Sequence, residues 1–564
     1  MLKFKSLLLI VFLFVVSVGS AQMTTSSVIG NVAEGSTPVA EATITLVHLP
    51  TNSSYETTTN KQGRFSLENL NVGGPYKIIV KAMGYEEYSN SQIQLSLGEN
   101  DIHAVSLEKK VNTLQEVSVT GKKSARNGGI QITQAIINGL PNINRGIQDV
   151  TKLVPQSANN SFAGTNFRYN NVTIDGSINN DAIGFSPSLG GQSGTSGMPG
   201  SSTRTNSISL DAIQDVQVYI TPYDVKLGNF LGGSVNAVTR SGTNKVSGSV
   251  YSYGRNAGIT GPNNAGDGAK MPSSFEDYQL GFRLGLPIIK DKLFFFTNAE
   301  YTKRTDPLFY NAGDVDANGN VSSLVDNPTA QAISDFVSTK YGFNVGSFNS
   351  SNNYSNSKKI FNKIDWKINN KHSLSIRNNT VFGEASNLER DSKNFRFASM
   401  DFIQKNTAIS TVFEFKSRFN SKWSNSFILG YSNIKDYRNP TSNNFMFPQV
   451  EIGYNGGTIL LGNDREATVF NMKQNTTEIT DNLTYKIGNH TLLFGTHNEF
   501  YDINYGFVNA LNGRVSYKTL ADFYASMPSR VRGTYPFDGS TRDQILNNPY
   551  AKFNVNISLY HFYT

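Results

Sequence analysis

Beyond Lys245, apolar and polar residues alternate with a period of two through one segment after another. In HSLSIRNNTVF (372–382), Leu374, Ile376 and Phe382 share one face, while Ser373, Ser375, Arg377 and Asn379 share the other. Phe413 and Phe415 oppose Glu414 and Lys416, and Leu483, Tyr485 and Ile487 oppose Thr484 and Lys486. Ile364, Trp366 and Ile368 likewise oppose Lys363, Asp365 and Lys367. Only a strand, whose successive side chains point to opposite faces, turns this pattern into one apolar and one wet surface. Segments of roughly ten residues suit a tilted strand that crosses hydrocarbon. A soluble sandwich or propeller alternates in the same way, so the pattern alone leaves the class open.

The start of the chain narrows the choice. Lys3 and Lys5 precede ten apolar residues, 7–16, and small residues follow at Gly19, Ser20 and Ala21, which is the form of a secretion signal with cleavage expected near Ala21/Gln22. No later run approaches the roughly 18 apolar residues that a membrane helix needs, so a membrane role must use strands. The chain carries 36 Phe, 26 Tyr and 49 Gly, which favours strands, tight turns and interfacial rings. It has no cysteine, so disulfides, thiolate metal sites and thiol nucleophiles are all excluded. The net charge of +7 does not mark a nucleic-acid protein, because Lys and Arg are scattered among Asn, Ser and Asp instead of forming a stripe.

Between residues 22 and 110 the pattern is one of short alternating strands: ATITLVHL (42–49), RFSLENL (64–70) and YKIIVKAMGY (76–85). Lys61-Gln62-Gly63 and Gly73-Gly74-Pro75 supply turns, as expected of a small β-sandwich. This segment resembles the carboxypeptidase regulatory-like domain, a transthyretin-like sandwich. The resemblance implies a structural or docking role and no peptidase activity. The residues themselves show no aromatic platform of the kind a sugar site needs.

Three segments in order carry a second resemblance: LPNINRGIQDVTKLVPQ (140–156), RYNNVTIDGSINNDAIGF (168–185) and SISLDAIQDVQVYITPYDVKLGNFLGGSVNAVTRSGTNKVSGSV (207–250). Together they resemble the plug and plug–barrel junction of TonB-dependent outer-membrane receptors, in the Oar-like, OmpA-related branch found in Bacteroidetes. LPIIKDKLFFF (286–296) resembles that group's first barrel hairpin, with Lys290-Asp291-Lys292 as a short periplasmic turn. The expected architecture is therefore an all-β membrane protein: sandwich at 22–110, α/β plug at 111–245, and transmembrane antiparallel barrel from 246 to 564.

The resemblance also assigns roles. TLQEVSVTGKK (113–123) is an extended β-branched run, and Leu114, Gln115, Glu116, Val117, Ser118, Val119 and Thr120 stand where the family carries either its TonB-contact segment or its first plug strand. Pairing with a partner's strand edge suits the first role. Asp175 and Gly176, a tight-turn pair after the run 169–174, fall among the plug's recognisable features with Asn179, Asn180 and Asp181. Gly232 and Gly233, which lack bulk, and Arg240, Ser241 and Gly242 mark the plug–barrel junction. GGQSGTSGMPG (190–200) reads as a flexible loop, and Asn/Ser/Gly-rich stretches such as 305–357 read as extracellular loops.

About eleven candidate strands follow Lys245, whereas plugged transporters close with about 22. FNVNISLY (553–560) starts like a strand and gives way to His561-Phe562-Tyr563-Thr564, without the terminal aromatic usual in the family. The expectation is a chain holding the N-terminal half of a barrel, unable to close a stable pore alone, since an open edge in lipid costs several kcal/mol per exposed backbone group.

An enzyme is not expected. None of His48, His103, His372, His490, His497 and His561 begins an HxxE or HExxH motif, and no GxSxG or GxxxxGK[ST] occurs. His490 and His497 would lie roughly 23 Å apart on opposite faces of one strand, too far to share a metal. No cofactor is implied. The reading is an outer-membrane receptor and transporter with TonB, outer-membrane lipid and an unidentified extracellular ligand as partners. The alternatives are a non-transporting adhesin, for which a plug would be superfluous, or a truncated product without pore function.

Overall fold

The computed structural model describes residues 24–109, 129–139, 145–158, 161–165, 169–180, 201–220, 231–262, 270–315, 321–488, 490–532 and 552–563. The signal segment, residues 114–120, Asp181 and the glycine-rich loop 190–200 lie outside these.

The N-terminal unit packs two sheets face to face. One pairs Ser26–Glu34 with Thr37–Pro38, Arg64–Leu70 and, in parallel, Gly98–Ser106; the other runs Ser53–Thr58, Thr43–His48, Gly73–Lys81, Tyr88–Leu95. Alternate residues of each strand fill the shared core, among them Val28, Val32, Ile44, Leu46, Phe65, Leu67, Ile78 and Val80. The same alternation carries His48 inward. A polar residue takes an apolar position there because Thr51 meets its Nδ1 at 2.7 Å and the Tyr76 ring lies 4.7 Å away.

The second unit is a five-stranded mixed sheet in the order Ser177–Ile178, Asn171–Ile174, Gly233–Thr239, Ile213–Ile220, Gly129–Thr133, with short helices Gln134–Gly139 and Ile147–Thr151. Its central strand Gly233–Thr239 is buried along its whole length. The core of Val172, Ile174, Val216, Val218, Val235 and Ala237 continues into Phe296 and Phe361 of the surrounding wall.

That wall is a ten-stranded antiparallel meander: Ser247–Asn256, Glu276–Ile289, Leu293–Pro307, Asn352–Lys367, His372–Ser386, Phe402–Arg418, Trp423–Pro440, Val469–Ile487, His490–Val508 and Lys552–Tyr563, here called the first to tenth barrel strands. Each pairs with its sequence neighbours, as hairpin connections dictate. Outward positions such as Leu280, Phe282, Ile364, Ile376, Phe382 and Leu429 are exposed and apolar, whereas inward ones such as Lys359, Lys363, Arg377, Asn379, Gln404 and Glu478 are buried and polar. This is the lipid-out, polar-in code of a transmembrane barrel. Both tryptophans, Trp366 and Trp423, sit on the outer face beside short turns, and Trp423 stacks on Tyr485 at 4.1 Å. Rings at such a rim suit the interfacial aromatic belt of a membrane wall.

Three sequence expectations change. Ten strands, not eleven, join the wall among the described residues. The 286–296 hairpin is the second in the sheet, since the Ser247–Asn256 strand pairs with Glu276–Ile289 before it; its tight turn is as expected, with Asp291 at φ +62°. The stretch 305–357 is not simply loop. Strand Leu293–Pro307 extends into it, strand Asn352–Lys367 begins inside it, and helix Asn327–Tyr341 lies between. Asp326 caps that helix by accepting from the Thr329 amide at 2.8 Å, Pro328 presets its first turn, and Gly342 ends it at φ +62°.

With a second five-stranded sheet, built from Asn394–Arg396, Gly457–Leu461, Gln449–Tyr454, Arg514–Tyr517 and Arg530–Arg532, the helix encloses a dry core of Ile333, Val337, Phe343, Phe395, Phe397, Ile452 and Phe523. Four long connections thus fold into one cap over the wall's far end. High Asn and Ser content hid it, because the apolar residues are spread thinly over segments distant in sequence.

Candidate functional site

The polar lining of the wall meets the inserted sheet at a hairpin. Asn171–Ile174 turns through Asp175 (φ +45°) and Gly176 (φ +73°) into Ser177–Ile178, so both turn residues are left-handed as a two-residue hairpin requires. Asp175 is buried. One carboxylate oxygen accepts the Thr239 amide at 2.7 Å and the other its hydroxyl at 2.5 Å. Arg377 of the fifth barrel strand approaches to 3.1 Å and Lys363 of the fourth to 3.7 Å. Burial opposes the charge on Asp175, but Lys363, Arg377 and the two Thr239 bonds outweigh it and hold the carboxyl below its ordinary range. Arg377 also donates to the Ile174 carbonyl.

Two residues on, the hairpin is gripped again, three strands further along the wall. Glu478 of the eighth strand accepts the Ser177 hydroxyl and the Ile178 amide, each at 2.9 Å. Gly430 of the seventh strand faces the same serine, and a Cβ there would stand 3.1 Å from the Ser177 oxygen. A carboxylate at the turn is therefore held by barrel cations, and the amide and hydroxyl beyond it by a barrel carboxylate.

The same chemistry recurs along the seat. Ser209 donates to Glu300 at 2.8 Å, and Glu300 also receives Lys359 at 2.7 Å. Ser202 donates to Asp436 at 2.9 Å, and Arg204 donates to the carbonyls of Tyr354 and Ser386 at 2.7 and 3.0 Å. Asn379 donates to the Ser207 carbonyl at 2.8 Å. At Gly383 a Cβ would fall 2.2 Å from the Thr203 hydroxyl oxygen, so the fifth strand needs glycine there for the insert to seat.

The sandwich closes the periplasmic end. Lys367 donates to the Asn52 carbonyl at 3.3 Å, and Lys486 donates to the Ser66 carbonyl at 3.1 Å with Glu68 at 3.8 Å. Arg418 lies 4.8 Å over the Tyr55 ring, and the Asn244 amide donates to the Pro50 carbonyl at 2.8 Å. A cavity of about 210 Å³ remains between sandwich, insert and wall, lined by His48, Thr51, Asp175, Lys363, Arg377 and Glu414 among others.

Of the residues singled out from the sequence, Asp175 and Gly176 form the turn that the wall clamps. Asn180 accepts the Val172 amide and Asn179 donates to Ser207, so both brace the hairpin inside the insert. Gly232 and Gly233 do not abut the wall: added Cβ atoms would meet Thr165 at 2.2 Å and Phe162 at 2.7 Å, within the insert itself. Gly242 does lie against the wall, 2.4 Å from the Phe295 carbonyl in the same test, and Arg240 bonds back to Ile213 at 3.2 Å. The alternation pattern placed Lys363 and Arg377 on the polar face, but nothing in it said that they would meet Asp175. Glu300, Asp436 and Glu478 carried no local signal at all. Among the described residues no His, Asp and Glu cluster has metal-site geometry.

A lipid-facing strand wall with a polar interior, filled by a mixed-sheet plug, defines a plugged outer-membrane β-barrel. Residues 238–554 match the family described as outer membrane beta barrel domain, and the chain belongs to that family. Residues 27–108 match the carboxypeptidase regulatory-like domain. The chain is 27% identical over 346 residues to the TonB-dependent transporter Oar of Myxococcus xanthus, a match that covers 56% of this chain and 30% of that relative. In fold it is similar to the outer membrane transporter YddB of Escherichia coli, with a TM-score of 0.51 at 13% identity, covering 77% of this chain and 53% of the transporter. The chain thus spans well under two thirds of the length of either.

Proposed function

We propose that this chain acts in a TonB-dependent outer-membrane receptor that captures an extracellular ligand at the cap and admits it past the plug, using energy drawn from the inner-membrane proton gradient. One observation carries the reading: although the plug core reaches Phe296 and Phe361 of the wall, the turn of the plug hairpin is held there by charged and hydrogen-bonded groups, which water can replace. Such a plug can shift under a pull by exchanging its polar bonds for water and breaking the contact with Phe296 and Phe361. In this reading TonB engages Leu114 to Thr120, the plug is drawn toward the periplasm, and the sandwich must swing off the periplasmic mouth. The similarity to Oar supports it.

Because the chain lacks cysteine, Ser177→Cys introduces a single thiol behind the Glu478 clamp. A membrane-impermeant maleimide should label it in energised cells, and labelling should fall several-fold when the proton gradient is collapsed or residues 114–120 are deleted. Equal labelling with and without the gradient would sink the transport reading and favour a static adhesin, whose contacts would come from the cored cap.

A further inference from the structure

On the outer face, Lys435 of the seventh barrel strand stands directly opposite Lys473 of the eighth. Both face outward and are exposed. Like charges in directly opposed positions destabilise a sheet pair, and among the described residues neither lysine is within ion-pair distance of a carboxylate. The contrast is Lys405, one row nearer the extracellular side, which Glu384 takes up at 3.1 Å. The two lysines line a shallow outward concavity with Tyr437, Asn471, Asn475 and Asn504. Its only acidic residue is Asp502, which faces Asn475 and accepts from its amide at 2.9 Å.

Height on the wall decides what the concavity meets. Lys435 is twelve residues along its strand from Trp423 at the periplasmic rim, which at about 3.3 Å per residue and a tilt of about 45° is roughly 28 Å. The apolar band of such a wall is about 25 Å tall. Exposed Leu429 and Tyr431 lie just below the lysines on the same strand face. The pair therefore sits in the headgroup layer of the outer leaflet, directly above a surface made for acyl chains.

We propose that Lys435 and Lys473 bind the phosphate of a phosphorylated glycolipid in the outer leaflet. The phosphate bridges the two ammonium groups and removes their repulsion, the Asn amides and the Tyr437 hydroxyl bond to sugar hydroxyls, and the acyl chains run down past Tyr431 and Leu429. Paired strands flank the site on both sides, so it is complete within this chain. The proposal rests on the outer-membrane placement of the wall and not on transport.

The test uses the full chain in phosphatidylcholine nanodiscs containing either diphosphorylated lipid A or the same lipid with its phosphates removed, with bound lipid counted by native mass spectrometry. At least a tenfold preference for the phosphorylated lipid is expected. Lys435→Gln with Lys473→Gln should abolish it, the two arginine replacements should restore it, and Lys303→Gln, on the outer face of the third strand, should leave it intact. Excess inorganic phosphate should not displace the lipid. Equal binding of the two lipids, a preference kept in the double glutamine variant, or displacement by inorganic phosphate would each overturn the proposal, the last by pointing to a free anion site.

Discussion

The plug seat and the extracellular cap are both built from segments far apart in sequence, yet they differ in which force dominates, polar bonding at the seat and apolar packing in the cap. The cap closes over an apolar core of Phe395, Phe397, Ile452, Ile459 and Phe523, edged by buried Arg390, which stacks on Phe395 at 4.8 Å and donates to Asn311 and the Ser347 carbonyl. The seat is closed by Asp175 against Arg377 and Lys363, and by Glu478 against Ser177 and Ile178. Apolar burial is undirected and is lost only when the surface returns to water, so the cap is a permanent structure. Charge-assisted bonds are strong while geometry holds and are exchanged for water once it fails, so the seat can open and reform. The difference separates a platform from a moving part.

Cutting the ring of Phe395 is the strongest way to break the comparison. Phe395→Ala removes a fully buried aromatic that packs on Phe397 at 5.3 Å, and should cost the cap about 3–5 kcal/mol. Hydrogen exchange should show residues 394–396 and 457–461 losing protection together while the plug hairpin keeps its own. If the hairpin opens as well, cap and seat are one cooperative unit and the contrast fails.

Arg377→Ala is the matching cut on the other side. It strands Asp175 with only Lys363 and the Thr239 bonds. Breaking a buried pair costs about 3–5 kcal/mol when no solvent reaches the survivor. Here the adjoining cavity of about 210 Å³ gives water a route to the carboxylate, so about 3 kcal/mol is expected. Exchange should rise at residues 171–178 and leave the cap unchanged.

Acidification should move the two ends of the molecule in opposite directions. Burial pushes His48, on the sandwich wall of the cavity, down to about 4. A base with a lowered folded value binds its proton more readily unfolded, so stability falls as pH drops below about 6.5, by about 2 kcal/mol between pH 7 and 5. Burial raises Asp401, at the base of the cap, to about 6 despite bonds from the Asn387 and Phe402 amides. The folded state there takes up the proton first, so the cap gains about 1 kcal/mol over the same range. Hydrogen exchange at the two pH values, corrected for intrinsic rate, should show the sandwich loosening and the cap tightening. His48→Gln should remove the first change, and Asp401→Asn the second.

What was legible in the sequence follows the range of each signal. Period-two alternation is local, so the wall, its inward face and the placing of Arg377, Glu414 and Lys363 could be read from single segments. The turn at Asp175-Gly176 was equally local. The partners of that turn were not, because Lys363 lies 188 residues and Arg377 202 residues further along, and nothing in either neighbourhood records which inserted side chain it will face. Gly383 and Gly430 looked like ordinary strand glycines until the plug stood against them. The cap is hidden for a related reason: its helix and short strands each bury a few residues, and only assembly makes them a core.

One signal for the cap is local, and it gives the smallest of the expected effects. Asp326 and Pro328 open helix Asn327–Tyr341, and Ala330, Ile333 and Val337 recur at the spacing of a single helical face. Asp326→Ala removes the acceptor for the Thr329 amide, which should cost about 1 kcal/mol. If the cap is a unit held by apolar packing, that loss spreads over all of it, and protection should fall by roughly fivefold at residues 449–454 and 457–461 as well as in the helix. If only the first helical turn frays, the cap is a set of independent loops and the contrast with the seat is one of composition alone.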